Sequence, residues 1–202
     1  MGCAGFKLSK EPGVWLVETK IEGVTALIPV DLIVPEGVAP RGGRRAVGLE
    51  AALRDHSTMM VSALSPSDKR SVEAEVAAPA ALLVAKATKL HERVERGRSD
   101  RIDDKDAADV VRIMQVTDPA VVGATFTMLC KDPVAGGPSV NALKHLEELF
   151  GRRGRHGIDM APRALRTGWP EARVAALCVS YTTALIEQAD GGRTLGQAGE
   201  RR

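Results

Sequence analysis

Apolar and polar residues alternate along much of the first 78 residues, and this period of two is typical of β-strands. The predicted strands are residues 14–19, 26–36, 58–64 and 71–77. The turn formers around Gly23 predict that the first two strands make an antiparallel hairpin. Residues 48–55 alternate less regularly and weakly favour another strand over a short helix.

From Pro79 onward the apolar spacing changes to three or four residues, which predicts helices. Pro79 opens the first one, and its apolar stripe is Leu83, Ala87, Leu90 and Val94. Further helices are predicted over residues 103–115, 119–130, 139–150 and 170–188, with an irregular segment over 160–168. The pattern therefore predicts an α+β chain. A small mixed or antiparallel sheet (1–78) precedes a helical bundle (79–190) and a disordered tail (191–202).

Aspartates mark the starts of two predicted helices. Asp103 or Asp104 is expected to cap the second helix, and Asp118 is expected to cap the third. Asp106 and Asp109 lie in the first turns of the second helix, where carboxylates suit the positive end of the helix dipole. Lys105 is spaced to contact Asp109 one turn later.

Composition excludes several classes of protein. Aromatic residues make up 3% of the chain, which argues against modules that stack nucleic-acid bases. A net charge of +2 is too balanced to indicate bulk affinity for nucleic acid. Three widely spaced cysteines and four histidines without ligand spacing indicate neither a disulfide framework nor a sequence-local zinc site. No apolar run is long enough for a membrane span, no signal peptide is evident, and a cytoplasmic location is expected.

One carboxylate, Asp31, stands inside the most apolar run of the chain, residues 26–36. Alternation places Ile28, Val30 and Leu32 on one face of this strand and Asp31 on the other. If the strand is buried, an ionised carboxylate there costs several kcal/mol unless it is paired. Three alternatives stay open: a metal ion, a cation from another segment, or water in a cleft.

Three features follow one another along the chain. They are the carboxylate in Pro29-Val30-Asp31-Leu32-Ile33, the lysine that ends Pro79-Ala80-Ala81-Leu82-Leu83-Val84-Ala85-Lys86, and the charged segment Arg101-Ile102-Asp103-Asp104-Lys105-Asp106-Ala107-Ala108-Asp109. Together they resemble the nucleotidyltransferases of the DNA polymerase beta superfamily. The AbiEii-like toxins of type IV toxin–antitoxin systems are the nearest in appearance. Residues 81–111 carry most of the resemblance.

The resemblance implies Mg²⁺-dependent transfer of a nucleoside monophosphate from an NTP to RNA or protein. It places Asp31 as a catalytic, metal-binding carboxylate and gives Lys86 a catalytic and nucleotide-binding role. It also implies that Lys105, Asp106 and Asp109 bind the nucleotide. The implied partners are an NTP, an RNA or protein acceptor and an antitoxin, with no membrane.

The sequence departs from the family pattern before Asp31, where neither the Gly-Ser turn nor the D-x-D carboxylate pair occurs. The resemblance therefore predicts a sheet domain truncated at its N-terminal side, with impaired transfer. The alternative is a non-catalytic binding module whose exposed sheet edge recruits an antitoxin or a second copy. In that case Asp31 forms an ion pair with Lys86, Lys105 or an arginine without metal, and Lys86 extends along the helix surface to reach solvent.

Overall fold

The computed structural model describes residues 5–21, 23–38, 44–97, 101–165 and 169–199. Up to Ala77 the described residues form strands and short turns, and helices follow, so the predicted α+β class is confirmed. The strands are β1 (Phe6–Leu8), β2 (Val14–Ile21), β3 (Val24–Asp31), β4 (Ile33–Pro35), β5 (Arg44–Ala46), β6 (His56–Ser62) and β7 (Ser71–Ala77). The helices are α1 (Pro79–Glu95), α2 (Arg101–Val116), α3 (Pro119–Leu129), α4 (Gly136–Phe150), α5 (His156–Ala164) and α6 (Glu171–Gly199).

The strands form three small sheets instead of one. Strands β1, β2 and β3 form an antiparallel sheet, β4 and β5 pair in parallel, and β6 and β7 form an antiparallel ribbon. The predicted hairpin is confirmed, because β2 and β3 pair from Val14 opposite Asp31 to Ile21 opposite Val24. The β6–β7 pair also matches the two strands predicted from alternation.

The expectation of a buried strand over residues 26–36 is wrong. Strand β3 ends at Asp31, and most of its residues, including Leu27 and Ile28, are exposed. Within the described ranges, every buried hydrophobic residue except Ala51 lies between Ala80 and Ala189. The hydrophobic core is therefore built by the helices and leaves the β1–β3 sheet largely uncovered.

Residues 48–55 form a 3₁₀ turn at Glu50–Leu53 instead of the weakly favoured strand. The buried Glu50 carboxylate explains this conformation, since it accepts hydrogen bonds from the backbone N–H of Gly48 at 2.8 Å and of Gly37 at 3.2 Å. A local side-chain bond of this kind competes with strand pairing. The turn also brings Ala51 into the helical core.

Helix boundaries agree with the prediction where a side chain acts as a cap. Asp118 Oδ1 accepts a hydrogen bond from the Ala120 N–H at 2.8 Å, so its predicted N-cap role is confirmed. The caps predicted at Asp103 or Asp104 are wrong, because α2 already begins at Arg101. Asp104 is instead buried and pairs with Arg163 of α5.

Two C-terminal features differ from the prediction. Helix α5 extends into the segment that was predicted to be irregular from residue 160 onward, and it contains Pro162. Burial of Ile158, Met160 and Ala161 against the other helices stabilises this short helix. Helix α6 extends to Gly199, beyond the predicted end near Gln188 and through most of the predicted tail.

Aliphatic side chains and a few aromatic rings fill the core, as the composition requires. Its largest fully buried residues are Phe126, Phe150, Leu83, Leu90, Leu146 and Leu185. Each such side chain contributes about 1.5–3 kcal/mol by leaving water. Helices α3 and α6 approach closely at Gly123, where an added Cβ would lie 2.8 Å from the Leu185 carbonyl oxygen. Among the helices of the described ranges, none is both long and apolar enough to cross a bilayer.

Candidate functional site

The densest group of charged side chains lies between α1 and α2. Lys86, Lys89 and Arg93 recur at three- and four-residue spacing along one side of α1, next to its buried apolar stripe. That stripe packs into the core and holds this side of α1 against α2. Asp106 and Asp109, one turn apart on α2, face these cations.

The hydrogen bonds within this group, here called the α1–α2 charge cluster, are short. Lys86 Nζ donates to Asp106 Oδ1 at 2.7 Å and to Asp109 Oδ2 at 2.8 Å. Lys89 Nζ lies 2.6 Å from Asp106 Oδ2, and Arg93 Nη1 donates to the same oxygen at 3.0 Å. Arg112 Nη1 donates to Asp109 Oδ1 at 2.7 Å. Lys86 is therefore the central cation of the cluster, because it binds both carboxylates.

The cluster fixes the protonation states of its members. Burial by itself would raise the pKa of Asp106, but Lys86 and Lys89 outweigh it and hold that pKa below its ordinary value. The pKa of Asp109 is lowered in the same way, with burial opposed by Lys86 and Arg112. Burial would lower the pKa of Lys86, yet its hydrogen bonds to Asp106 and Asp109 raise it. All three groups are therefore charged at neutral pH.

Positive charge exceeds negative charge among the described side chains of the cluster. Even without Arg93, the three cations Lys86, Lys89 and Arg112 face only two carboxylates. The excess is reachable from solvent, because the side chains of Lys89 and Arg112 are 46% and 48% exposed. Guanidinium and ammonium groups in such a position can donate hydrogen bonds to phosphate oxygens.

Lys105 does not make the contact predicted for it. It is exposed and forms no ion pair within the part of the chain that the structure describes. The expected Lys105–Asp109 pair is therefore wrong, because Asp109 is already bound by Lys86 and Arg112. Lys105 still adds an exposed positive charge to the α2 helix that carries Asp106 and Asp109.

Asp31 lies at the end of β3 and forms an ion pair with Arg44 of β5. Gly13, with a φ of +78°, allows this arrangement, because a Cβ there would lie 2.7 Å from the Leu32 carbonyl oxygen and 2.8 Å from Arg44 Cβ. The predicted burial of Asp31 is wrong, since its side chain is 36% exposed. Of the alternatives left open by the sequence, the ion pair with an arginine is the one observed.

The structure does not join Asp31 to Lys86 in one ion-pair network. Lys86 binds Asp106 and Asp109, whereas Asp31 binds Arg44. Nor does Asp31 belong to any group of three metal-ligating side chains within the described ranges. The predicted nucleotide-binding residues Lys86, Asp106 and Asp109 do meet at one place, with Asp31 outside it.

Two further charged contacts were not predicted. Arg163 of α5 binds Asp104 of α2 through its Nε and Nη2 atoms, with the shortest contact at 2.6 Å. The ring of His91 on α1 stacks on the ring of His145 on α4, and both lie near Glu148. For the group of His91, His145 and Glu148, the only sequence signal was the three-residue spacing of His145 and Glu148. His91 lies on a different helix, α1, and sequence spacing cannot reveal a contact between two helices.

Two clefts lie away from the charge cluster. One, of about 540 Å³, lies between α5 and α6 and is lined by residues such as Ile158, Asp159 and Ala175. The other, of about 330 Å³, is lined by residues that include Arg54, Met128 and Asp132. Neither is lined by a predicted site residue.

Comparison of the chain with protein-family models, with curated proteins and with solved structures yields no significant match.

Proposed function

We propose that this chain is a nucleotidyltransferase-like protein that binds the phosphates of a nucleoside triphosphate at the α1–α2 charge cluster. The observation that carries the proposal is the excess of solvent-reachable positive charge around Lys86. The same stretch of sequence, residues 81–111, carries the resemblance to nucleotidyltransferases.

The residues have distinct parts in this proposal. Asp106 and Asp109 hold Lys86 between them and fix the position of its charge. Lys89 and Arg112 each have only one partner oxygen among the described residues, so N–H groups remain to donate to phosphate oxygens. Lys105 contributes long-range attraction from the exposed surface of α2.

The Mg²⁺ ions that the family uses do not fit the residues found at Asp31. Mg²⁺ takes carboxylate and phosphate oxygens together with water. Asp31 is a single carboxylate that is neutralised by Arg44 and is not grouped with two other ligating side chains in the described ranges. We therefore derive no transfer step for this chain and propose nucleotide binding with little or no nucleotide transfer.

Equilibrium binding of fluorescent ATP, GTP, CTP and UTP analogues to the full 202-residue chain tests the binding proposal. The test variant is the double substitution Lys89→Gln/Arg112→Gln, which removes two half-exposed cations and leaves Lys86 with both carboxylates. Lys144→Gln, an exposed lysine on α4, is the matched control. Affinity should fall roughly 100-fold or more in the double variant, because each of the two lost charge-assisted hydrogen bonds is worth about 1.5–3 kcal/mol. Equal affinities in the wild type and both variants would overturn the proposal.

The transfer step has its own experiment. The wild type and Asp31→Asn are incubated with labelled NTPs, Mg²⁺ and pools of RNA and protein. We expect equal, background labelling of the acceptors in both samples. Labelling by the wild type that is lost in Asp31→Asn would instead show that Asp31 is catalytic and that the chain is an active transferase.

A second candidate function is that of a non-catalytic interaction module. Large apolar side chains on the β6–β7 ribbon and on β3 are exposed, among them Met60 at 63% and Val72. Such strands recruit partners in many proteins. Light scattering across a concentration series tests this candidate in its self-association form. A molar mass that rises with concentration in the wild type, together with a constant monomer mass in Met60→Lys, would favour the interaction module. A monomer mass at every concentration in both proteins would oppose it.

A further inference from the structure

The side chains of His91, His145 and Glu148 meet where α1 packs against α4. His91 Nε2 lies 3.2 Å from Glu148 Oε2, and His145 Nδ1 lies 3.8 Å from the same oxygen. The two imidazole rings are 3.7 Å apart between centroids and inclined by 27°. One donor atom from each residue lies within 4.8 Å of the other two.

An orphaned polar atom distinguishes this group from an ordinary surface ion pair. His145 Nδ1 is buried and has no hydrogen-bond partner among the residues that the structure describes. Buried ring nitrogens in folded proteins almost always have a partner, because leaving one unpaired costs about 1–3 kcal/mol.

We infer that His91, His145 and Glu148 form a binding site for a divalent transition metal of the Zn²⁺ class, with water in the fourth position. Two imidazole nitrogens and one carboxylate are a donor set that suits Zn²⁺, whereas Mg²⁺ and Ca²⁺ prefer oxygen alone. Zn–N and Zn–O bonds of about 2.0–2.2 Å place tetrahedral ligands roughly 3.3 Å apart. This is close to the distances from Glu148 Oε2 to His91 Nε2, 3.2 Å, and to His145 Nδ1, 3.8 Å. A rotation of the two rings away from stacking would complete the geometry.

The site has both a supporting scaffold and an entry path. His145 and Glu148 lie one turn apart on α4, and His91 comes from α1, so both helices are rigid supports. Glu148 is more than half exposed, which leaves the ion accessible from solvent. A bound ion would cross-link α1 to α4. This inference is independent of the nucleotide proposal, which concerns the contacts of α1 with α2.

Calorimetric titration of the full chain with Zn²⁺, and with Co²⁺ as a spectroscopic substitute, tests the site. We expect one equivalent to bind, with affinity reduced roughly 100-fold or more in His145→Gln and in Glu148→Gln, because losing even an outer-sphere partner costs 10–100-fold. His56→Gln is the matched control. His56 also lies near a glutamate, with its Nε2 3.4 Å from Glu75 Oε2, but is not part of such a group of three.

The outcomes separate the site from adventitious binding. Affinities that are equal in the wild type, His145→Gln and Glu148→Gln would overturn the inference. So would competition by equimolar Mg²⁺, or a thiolate charge-transfer band in the Co²⁺ complex, which would place the metal on cysteine. Circular dichroism shows whether each variant is folded. Because Glu148 is exposed, the Glu148→Gln variant leaves the hydrophobic core unchanged. A Zn²⁺-dependent rise in Tm should appear in the wild type and vanish in both variants.

Discussion

The helices and the strands of this chain differ in how their apolar residues are used. The α1–α6 region buries most of its leucines, valines and phenylalanines in one core, whereas the β3 strand and the β6–β7 ribbon leave Leu27, Met60 and Val72 exposed. A two-stranded ribbon is marginal by itself, and it gains stability only when a layer covers one face. Stability in this chain is therefore expected to come from the helices, while the strands offer surface for contacts.

An aspartate of the helical region and an aspartate of the strand region also differ in their burial. Asp106 is 5% exposed and is bound by three cations from α1, whereas Asp31 is 36% exposed and pairs with Arg44 alone among the described residues. A buried, multiply bonded carboxylate is costly to remove because it leaves cations without a partner. A single pair at the surface contributes little. Burial, and not the presence of a charge, decides which aspartate matters to the fold.

The largest expected effect comes from the core. Phe126→Ala should lower the free energy of unfolding by about 3–5 kcal/mol, because a fully buried ring is replaced by a cavity. Met60→Ala, on the exposed ribbon, should change it by less than about 0.5 kcal/mol. Urea denaturation followed by circular dichroism measures both. Equal losses would show that the ribbon is part of the stable core.

The next largest effect is expected for Asp106→Asn. This substitution should lower the free energy of unfolding by about 2 kcal/mol. The loss is smaller than the roughly 3–5 kcal/mol expected when a fully buried ion pair is broken, because Lys89 is half exposed and Lys86 is partly solvated. The same denaturation assay applies, with Lys144→Gln as the surface control. A cost no larger than that of the control would contradict the central place given to the cluster.

The pH dependence of stability follows from the shifted pKa values in the cluster. The pKa values of Asp106 and Asp109 are lowered by folding, so their contribution is present above the ordinary aspartate pKa of about 4 and is lost as pH falls through the lowered values. The raised pKa of Lys86 gives stability that is present below about 10.4 and is lost as pH rises through its folded value. Thermal unfolding scanned from acid to alkaline pH should show both declines, and Asp106→Asn should flatten the acid one.

The smallest effect is expected at Asp31. Asp31→Asn removes one exposed ion pair and should lower the free energy of unfolding by between about 0 and 1 kcal/mol. Added salt should narrow the small difference in stability between the wild type and Asp31→Asn, because salt screens the Asp31–Arg44 pair in the wild type. A loss as large as that of Asp106→Asn would mean that a partner element covers Asp31 in solution.

Sequence patterns located most of the elements, for reasons that particular residues make clear. Period-two alternation identified β2, β6 and β7, and Pro79 and Asp118 marked two helix starts. Alternation tells which residues share a face of a strand but not whether another layer covers that face. For that reason the burial predicted around Asp31 was wrong. Helix α5 was missed because Gly154, Gly157 and Pro162 obscure its short apolar stripe.

The candidate site could be predicted only in part. Lys86, Asp106 and Asp109 were found because helical spacing and the family resemblance both single them out. Lys89, Arg93 and Arg112 bind the same carboxylates, but a charge at helical spacing is ordinarily only a solvated surface residue. Contacts between helices, such as His91 with His145, depend on packing that local spacing does not encode.

Lysine footprinting by mass spectrometry, with and without a saturating NTP, tests whether nucleotide binds at the α1–α2 charge cluster. We expect the nucleotide to protect Lys89, and to a lesser degree Lys105, from acetylation, while Lys69 and Lys144 react equally in both samples. Both control lysines are exposed and lie outside the charge cluster. Protection confined to other lysines, or no protection at saturation, would contradict nucleotide binding at the α1–α2 charge cluster.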